Sequence, residues 1–82
     1  MEHAAASADN LERLEAQAFV AALRSEAGNV QSAAYWFSEA NATLDSISTP
    51  TQELLALCHL SLAYYHGNDE HTARQLASRV AL

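Results

Sequence analysis

Turn-forming residues, cysteine and positive charge are all scarce in this chain of 82 residues. It has two glycines and one proline, too few for the many tight turns of an all-β domain. A single cysteine excludes an internal disulfide. There is no lysine, and the four arginines stand against ten acidic residues, which gives a net charge of −6. Because such a chain repels phosphate backbones and anionic membrane surfaces, we expect no nucleic-acid partner.

Apolar residues nevertheless make up 50% of the chain, which is typical of a folded domain. Wholly apolar runs such as residues 54–58 are far shorter than the ~20 residues that span a bilayer, so we expect no membrane insertion. The first ten residues lack the basic start and apolar run of a signal peptide. We therefore predict a cytoplasmic, all-α protein with a flexible lead-in over residues 1–8 and one helical-repeat domain over residues 9–82.

Capping signals and apolar periodicity predict helices 1 and 2. Asp9 followed by Glu12 fits a capping box, so helix 1 is expected from about residue 10 to about residue 27. Gly28-Asn29 should end it, with the glycine in the left-handed conformation and the asparagine capping helix 2. The apolar face of helix 2 has spacings of three and four and comprises Val30, Ala33, Phe37, Ala40, Leu44 and Ile47.

Helices 3 and 4 have their own start and stop signals. Thr49 as N-cap, Pro50 at the first helical position and Gln52 closing a capping box start helix 3, which should end near residue 66. It is apolar on nearly every side, which predicts burial on more than one side. Gly67-Asn68 should end it as Gly28-Asn29 ends helix 1. Helix 4 is expected to begin near Asp69 and to run to the end of the chain, with four residues facing inward: Ala73, Leu76, Ala77 and Val80.

The two Gly-Asn turns lie 39 residues apart, and each is followed by residues at spacings of four and three. These residues are Ala33, Phe37 and Ala40 after the first turn, and Ala73, Ala77 and Val80 after the second. The pattern resembles the tetratricopeptide repeat, whose second helix carries a small–large–small series. In the second unit, the family's first-helix positions match Leu57, Leu60, Ser61 and Tyr64. The resemblance implies two stacked antiparallel helical hairpins; a generic pair of α-hairpins is the alternative, since the signature tryptophan is missing.

Small acidic proteins built from degenerate repeats of this kind include chaperones of type III secretion. Residues 54–58, leading to Tyr64-Tyr65 and the glycine turn, are similar to the corresponding stretch of the chaperones that hold the needle subunit. The resemblance implies a cytosolic chaperone that shields an amphipathic helix of an export substrate. Its partners would be a needle subunit and a second small chaperone, with homo-oligomers when it is alone. A helical homodimer with a structural or adaptor role is the alternative.

No residue pattern points to catalysis, a cofactor or a metal, so we expect no enzyme. Cys58 ends the apolar run of residues 54–58 and is predicted to be buried, and the adjacent His59 points about 100° away around the helix. His59 and His66 share a helix face but lie two turns apart, about 10 Å, which is too far for one zinc ion. His66 and His71 flank a turn, and favourable placement near helix ends explains both.

Two adjacent aromatic pairs, Tyr35-Trp36 and Tyr64-Tyr65, are the best candidates for partner binding. One side of a helix cannot bury both members of such a pair, so one residue of each should lie at the rim. Rim aromatic residues are enriched among binding hot spots, whereas core packing is the alternative role. With two leucines of helix 3, the predicted partner-binding set is Tyr35, Trp36, Leu55, Leu62, Tyr64 and Tyr65.

Overall fold

A computed structural model describes the backbone of residues 2–80 and the side chains of residues 10–80. The described chain forms four α-helices, α1 (Glu2–Glu26), α2 (Val30–Asp45), α3 (Pro50–His66) and α4 (Glu70–Val80). It contains no strand within residues 2–80. The all-α prediction is therefore confirmed.

The helices form two hairpins that pack side by side. Short turns join α1 to α2 and α3 to α4, and α3 packs on α1 and, over a smaller area, on α2. The Cα positions span 41 × 27 × 13 Å, so the four helices make a thin slab. The core runs through both hairpins and comprises Leu14, Ala18, Ala40, Leu44, Ile47, Ala56, Leu57, Leu60, Ala63 and Leu76.

Helix α1 begins at Glu2, earlier than the predicted start near residue 10. Three consecutive alanines near the start of the chain favour the helical conformation, so the helix continues through Asp9 and needs no cap there. The start predicted from Asp9 and Glu12 is therefore wrong. Flexibility of residues 1–8 stays a prediction.

The two intra-hairpin turns have the same backbone geometry. In the first, Gly28 adopts a left-handed φ of 83°, and the Asn29 N–H donates to the Arg24 carbonyl at 2.9 Å. In the second, Asn68 has a left-handed φ of 67°, and the Asp69 N–H donates to the Tyr64 carbonyl at 2.9 Å. Both turns are Schellman motifs. Asn68, and not Gly67, therefore corresponds to Gly28, and the internal repeat spans 40 residues instead of 39.

Gly67 has a different role, which is to let α1 and α3 approach each other. A Cβ atom on Gly67 would lie 3.1 Å from Ser25 Oγ and 3.3 Å from Ser25 Cβ. The Ser25 hydroxyl instead donates a hydrogen bond of 2.9 Å to the Gly67 carbonyl. The contact fixes the end of α3 against α1.

The connection between the hairpins differs from the predicted capping pattern. Helix α2 ends at Asp45, and Ile47 is buried although it lies beyond the helix. Thr49 and Pro50 occupy the predicted positions at the start of α3, but the Thr49 side chain makes no capping hydrogen bond. Gln52 Oε1 is buried without a hydrogen-bond partner. The predicted capping box of α3 is therefore wrong, because the Gln52 side chain turns into the protein.

Several residues predicted to be buried are exposed. Val30 is 73% exposed, because it is the first residue of α2 and has no turn above it to pack against. Ala77 and Cys58 are exposed, because no helix in the described part of the chain covers the side of α3 and α4 on which they lie. The predictions that these three residues are buried are therefore wrong, whereas α3 is buried on more than one side as predicted, through its contacts with α1, α2 and α4. The other predicted helix-packing residues are buried or half-buried: Ala33, Phe37, Ala40, Ala73, Leu76 and Val80.

Candidate protein-binding surface

An apolar stripe runs along the exposed side of α3, and we call it the α3 face. Its members Leu55, Cys58, Leu62 and Tyr65 have spacings of three, four and three, so they lie on one side of the helix. Leu55 is 47% exposed, Leu62 57% and Tyr65 58%. Three of these residues belong to the predicted partner-binding set, and the structure brings them together.

A groove of about 550 Å³ lies on one side of the α3 face, between α3 and α4. Its walls are almost entirely apolar and comprise Cys58, Ser61, Leu62, Tyr65, Ala73, Ala77 and Val80. Glu70 and Arg74 lie at the α4 edge and pair with each other at 2.8 Å. The Ser61 hydroxyl donates to the Ala73 carbonyl at 2.8 Å, so its polar group is satisfied inside the wall. This α3–α4 groove suits an apolar ligand.

A second groove of about 490 Å³ lies on the other side of the α3 face, between α1 and α3. Leu62 borders both grooves, and Phe19 of α1, which is 64% exposed, lies across this one. Its edge is acidic, with Glu12 and Glu15. Glu15 Oε1 lies 2.9 Å from His59 Nε2, and solvent screens this pair because both side chains are about half exposed. The α1–α3 groove therefore combines an apolar floor with a negatively charged edge.

The two aromatic pairs divide as predicted between rim and interior. Tyr35 is exposed and contacts the half-buried Trp36 edge to face, with ring centroids 5.3 Å apart. This pair lies on α2, away from the α3 face. Tyr65 is exposed on the α3 face, whereas Tyr64 is half-buried. A role of these residues in partner binding stays a prediction.

Tyr64 joins α3 to α2. Its ring stacks on Phe37 with centroids 4.0 Å apart, and the Asn41 side-chain amide donates to its hydroxyl at 3.0 Å. Burial raises the pKa of the Tyr64 phenol above its ordinary value; the hydrogen bond from Asn41 opposes this rise, and the charge of Asp69 adds to it. Its geometry is that of a packing residue between helices, so Tyr64 does not contribute to the α3 face.

Sequence reasoning missed three contributors to the grooves: Phe19, Cys58 and Ala77. The spacing of Leu55, Cys58, Leu62 and Tyr65 was a signal for the α3 face, since it defines one stripe. No comparable spacing identifies Phe19 or Ala77, because their exposure depends on whether another helix packs beside them. Within the residues described, no three His, Cys, Asp or Glu side chains are grouped in a way that could hold a metal ion. No described helix is both long and apolar enough to cross a bilayer.

Comparisons of this chain with protein-family models, with curated proteins and with solved structures found no match.

Proposed function

We propose that this protein is a non-catalytic, cytosolic chaperone with tetratricopeptide-like repeats, which binds an amphipathic helix of a partner protein on the α3 face. By its resemblance to the needle-subunit chaperones of type III secretion, the partner is an export substrate, held with a second small chaperone. The observation that carries the proposal is the exposure of Leu55, Leu62 and Tyr65 in one stripe.

The exposed surface of the chain supports a partner-dependent role. Eight large apolar side chains are exposed among the described residues, and Leu55, Leu62 and Tyr65 of the α3 face are three of them. A contiguous apolar patch of this kind marks an interaction site.

The spacing of the α3 face supports a helical partner. Leu55 and Tyr65 are ten residues apart, about 15 Å along the helix axis, which matches three turns of a partner helix. Helices recognise apolar grooves through side chains at the same spacings of three and four. The acidic edge formed by Glu12 and Glu15 favours a partner whose polar side is basic.

The mechanism is apolar shielding. The bound helix covers the α3 face, and the α3 face covers the apolar side of that helix, so that neither surface is available for aggregation. Since both surfaces leave water, each partner stabilises the other by mass action. We expect the isolated chain to melt at low temperature or to self-associate, and its melting temperature to rise when a helix is bound.

A synthetic Leu–Lys peptide whose leucines follow helical spacing tests this proposal. We expect saturable binding by fluorescence anisotropy, with a gain of helical circular dichroism and a higher melting temperature of the protein. Leu62→Glu should weaken binding by at least about tenfold, because a buried, unpaired carboxylate costs more than about 1.4 kcal/mol. A Ser–Lys peptide of equal charge controls for simple electrostatic attraction.

Val30→Glu is the matched protein control, because it replaces another exposed apolar residue, in the first turn of α2 and outside the α3 face. It should bind the Leu–Lys peptide as the wild type does. Equal affinities of the wild type and Leu62→Glu would contradict the proposal. A stable dimer that buries the α3 face and rejects the peptide would indicate the homodimeric, structural role instead.

A further inference from the structure

We propose that the α3–α4 groove is a docking site for a partner helix that lies there as α3 itself lies on the first hairpin. This inference rests on the proposed function, and it adds the position of the bound helix and the side chains that it carries. The two hairpins are related by a shift of 40 residues. Helix α2 begins at Val30 and α4 at Glu70, while α1 ends at Glu26 and α3 at His66.

Helix α3 packs on the first hairpin through a small set of contacts, which define the α3-packing surface. The Ser25 hydroxyl donates to the Gly67 carbonyl at 2.9 Å. The Phe37 ring stacks on Tyr64 at a centroid distance of 4.0 Å. Three alanines of the first hairpin also pack in or against the core that α3 shares, namely Ala18, Ala22 and Ala40.

The α3–α4 groove is the counterpart of the α3-packing surface in the second hairpin. Tyr65 corresponds to Ser25 and Ala77 to Phe37, and both line the groove. The remaining counterparts also line it: Cys58 for Ala18, Leu62 for Ala22 and Val80 for Ala40.

Exposure distinguishes the two surfaces. Ala18 and Ala40 are fully buried in the first hairpin, where α3 completes the core. In the second hairpin Cys58, Leu62, Tyr65 and Ala77 are exposed, and no helix in the described part of the chain lies over them. Within residues 2–80, the fold therefore repeats a surface that holds a helix and leaves the second occurrence uncovered.

The differences between the two surfaces define the occupant. Where the first hairpin has Phe37, the second has Ala77, so the occupant must supply a large apolar or aromatic side chain above Ala77. Where the first has Ser25, the second has Tyr65, which replaces a hydrogen-bonding residue with a largely apolar one. Because Glu70 and Arg74 neutralise each other, the groove requires no charged side chain from the occupant. The occupant is thus an amphipathic helix with an apolar stripe about three turns long and one bulky residue within it.

A second copy of this chain fits the groove poorly. By the 40-residue shift, α1 is the helix that corresponds to α3. If α1 of a second copy lay in the groove, Arg24 would take the place of Tyr64 and Ala27 the place of Gly67. Arg24 would bring a charge into an apolar wall, and Ala27 would add a Cβ atom where α3 has none. Each copy also carries a net charge of −6. We therefore assign the groove to a helix of a different protein.

A peptide with the sequence of residues 50–66, carrying Cys58→Ser and a fluorescein label, probes the groove directly. It presents the helix surface that already packs on the first hairpin. We expect the full chain to bind this peptide in an anisotropy titration, and Ala77→Arg to weaken binding by at least about tenfold, because the arginine fills the groove. Ser78→Arg, at the adjacent exposed position, is the matched control and should bind like the wild type. Far-UV circular dichroism verifies that both variants remain helical.

The outcomes separate this inference from the proposed function. If Ala77→Arg binds both the α3 peptide and the Leu–Lys peptide like the wild type, while Leu62→Glu binds neither, the inference is overturned and the proposed function stands. If Phe19→Arg abolishes binding and Ala77→Arg does not, the helix lies in the α1–α3 groove, and the inference is again overturned. Binding of neither peptide to the wild type overturns both. If the wild type is a dimer and Ala77→Arg is a monomer, the helix in the groove belongs to a second copy of this chain. That result would overturn the assignment of the groove to a different protein.

Discussion

The close approach of Gly67 to α1 makes Gly67→Ala a sharp test of how the two hairpins are joined. Gly67 has a φ of −83°, which any residue adopts, so the backbone itself would tolerate alanine. The new Cβ atom would nevertheless meet Ser25 Oγ at 3.1 Å, closer than van der Waals contact. The serine would have to move, and its hydrogen bond to the Gly67 carbonyl would lengthen or break.

The magnitude follows from three terms. Overpacking costs about 1–3 kcal/mol, and loss of the hydrogen bond costs about 1 kcal/mol. The lower entropy of the unfolded chain offsets about 0.4–1 kcal/mol. We expect a net loss of about 1–3.5 kcal/mol in the free energy of unfolding, which is roughly 4–28 °C in the melting temperature of a domain this small.

A double-mutant cycle with Ser25→Ala identifies the cause, measured by urea unfolding followed with far-UV circular dichroism. Removing Oγ relieves the closest contact, so Gly67→Ala should cost at least about 0.5 kcal/mol less in the Ser25→Ala background. Gly28→Ala is the control: its φ of 83° makes alanine unfavourable, but its Cβ would meet nothing within 4 Å. The cost of Gly28→Ala should not depend on Ser25. Equal costs of Gly67→Ala in both backgrounds, or no cost at all, would refute this account of the α1–α3 contact.

Three other measurements test the remaining contacts. Ala40→Leu should lower the free energy of unfolding by about 1–3 kcal/mol because Ala40 is fully buried. Ala42→Leu, at an exposed position, should change it little. Equal melting temperatures of these two variants would contradict the packing at Ala40. Since the pKa of Tyr64 is raised from 10.0 by burial, its neutral form stabilises the fold below about pH 10, and this contribution is lost as the pH rises through the folded-state pKa. Melting temperatures between about pH 8 and about pH 11 should therefore fall more steeply for the wild type than for Tyr64→Phe, and parallel profiles would argue against burial of the phenol. The exposed Cys58 should react with a thiol reagent nearly as fast in the folded protein as in urea, and slow labelling would mean that the α3–α4 groove is covered.

Much of the fold could be predicted from the sequence because its signals are local. Pro50 favours the start of α3, because its φ is fixed in the helical range and the first turn needs no N–H from it. Gly28 marks the first turn, because few other residues adopt its left-handed conformation. The second turn was misaligned by one residue, because two different residues can take the left-handed position. Glycine at position 67 predicts the left-handed conformation there. In the structure, Gly67 instead lacks a Cβ atom where α3 approaches Ser25, a residue that is distant in sequence.

The candidate surface was harder to predict, because exposure depends on which helices pack beside a residue. The apolar composition of α3 predicted burial of Cys58, and the same composition forms an exposed stripe when only α1, α2 and α4 are present to cover it. A rim position for one residue of each aromatic pair could be predicted, since adjacent residues of a helix cannot share one buried side, but the choice of Tyr35 and Tyr65 could not. The groove at Ala77 could not be predicted, because an alanine in a helix is equally compatible with a buried and an exposed position.

The way in which α4 is attached has a consequence for local unfolding. Within the described residues, α4 packs only on α3, whereas α3 also packs on the first hairpin. Helix α4 is therefore the least anchored of the four, and its amide hydrogens should exchange with solvent before those of α2 or α3. Because this same helix forms one wall of the α3–α4 groove, we expect the width of the groove to adjust to ligands of different bulk. A bound helix would convert the most readily opened segment of the chain into a protected one.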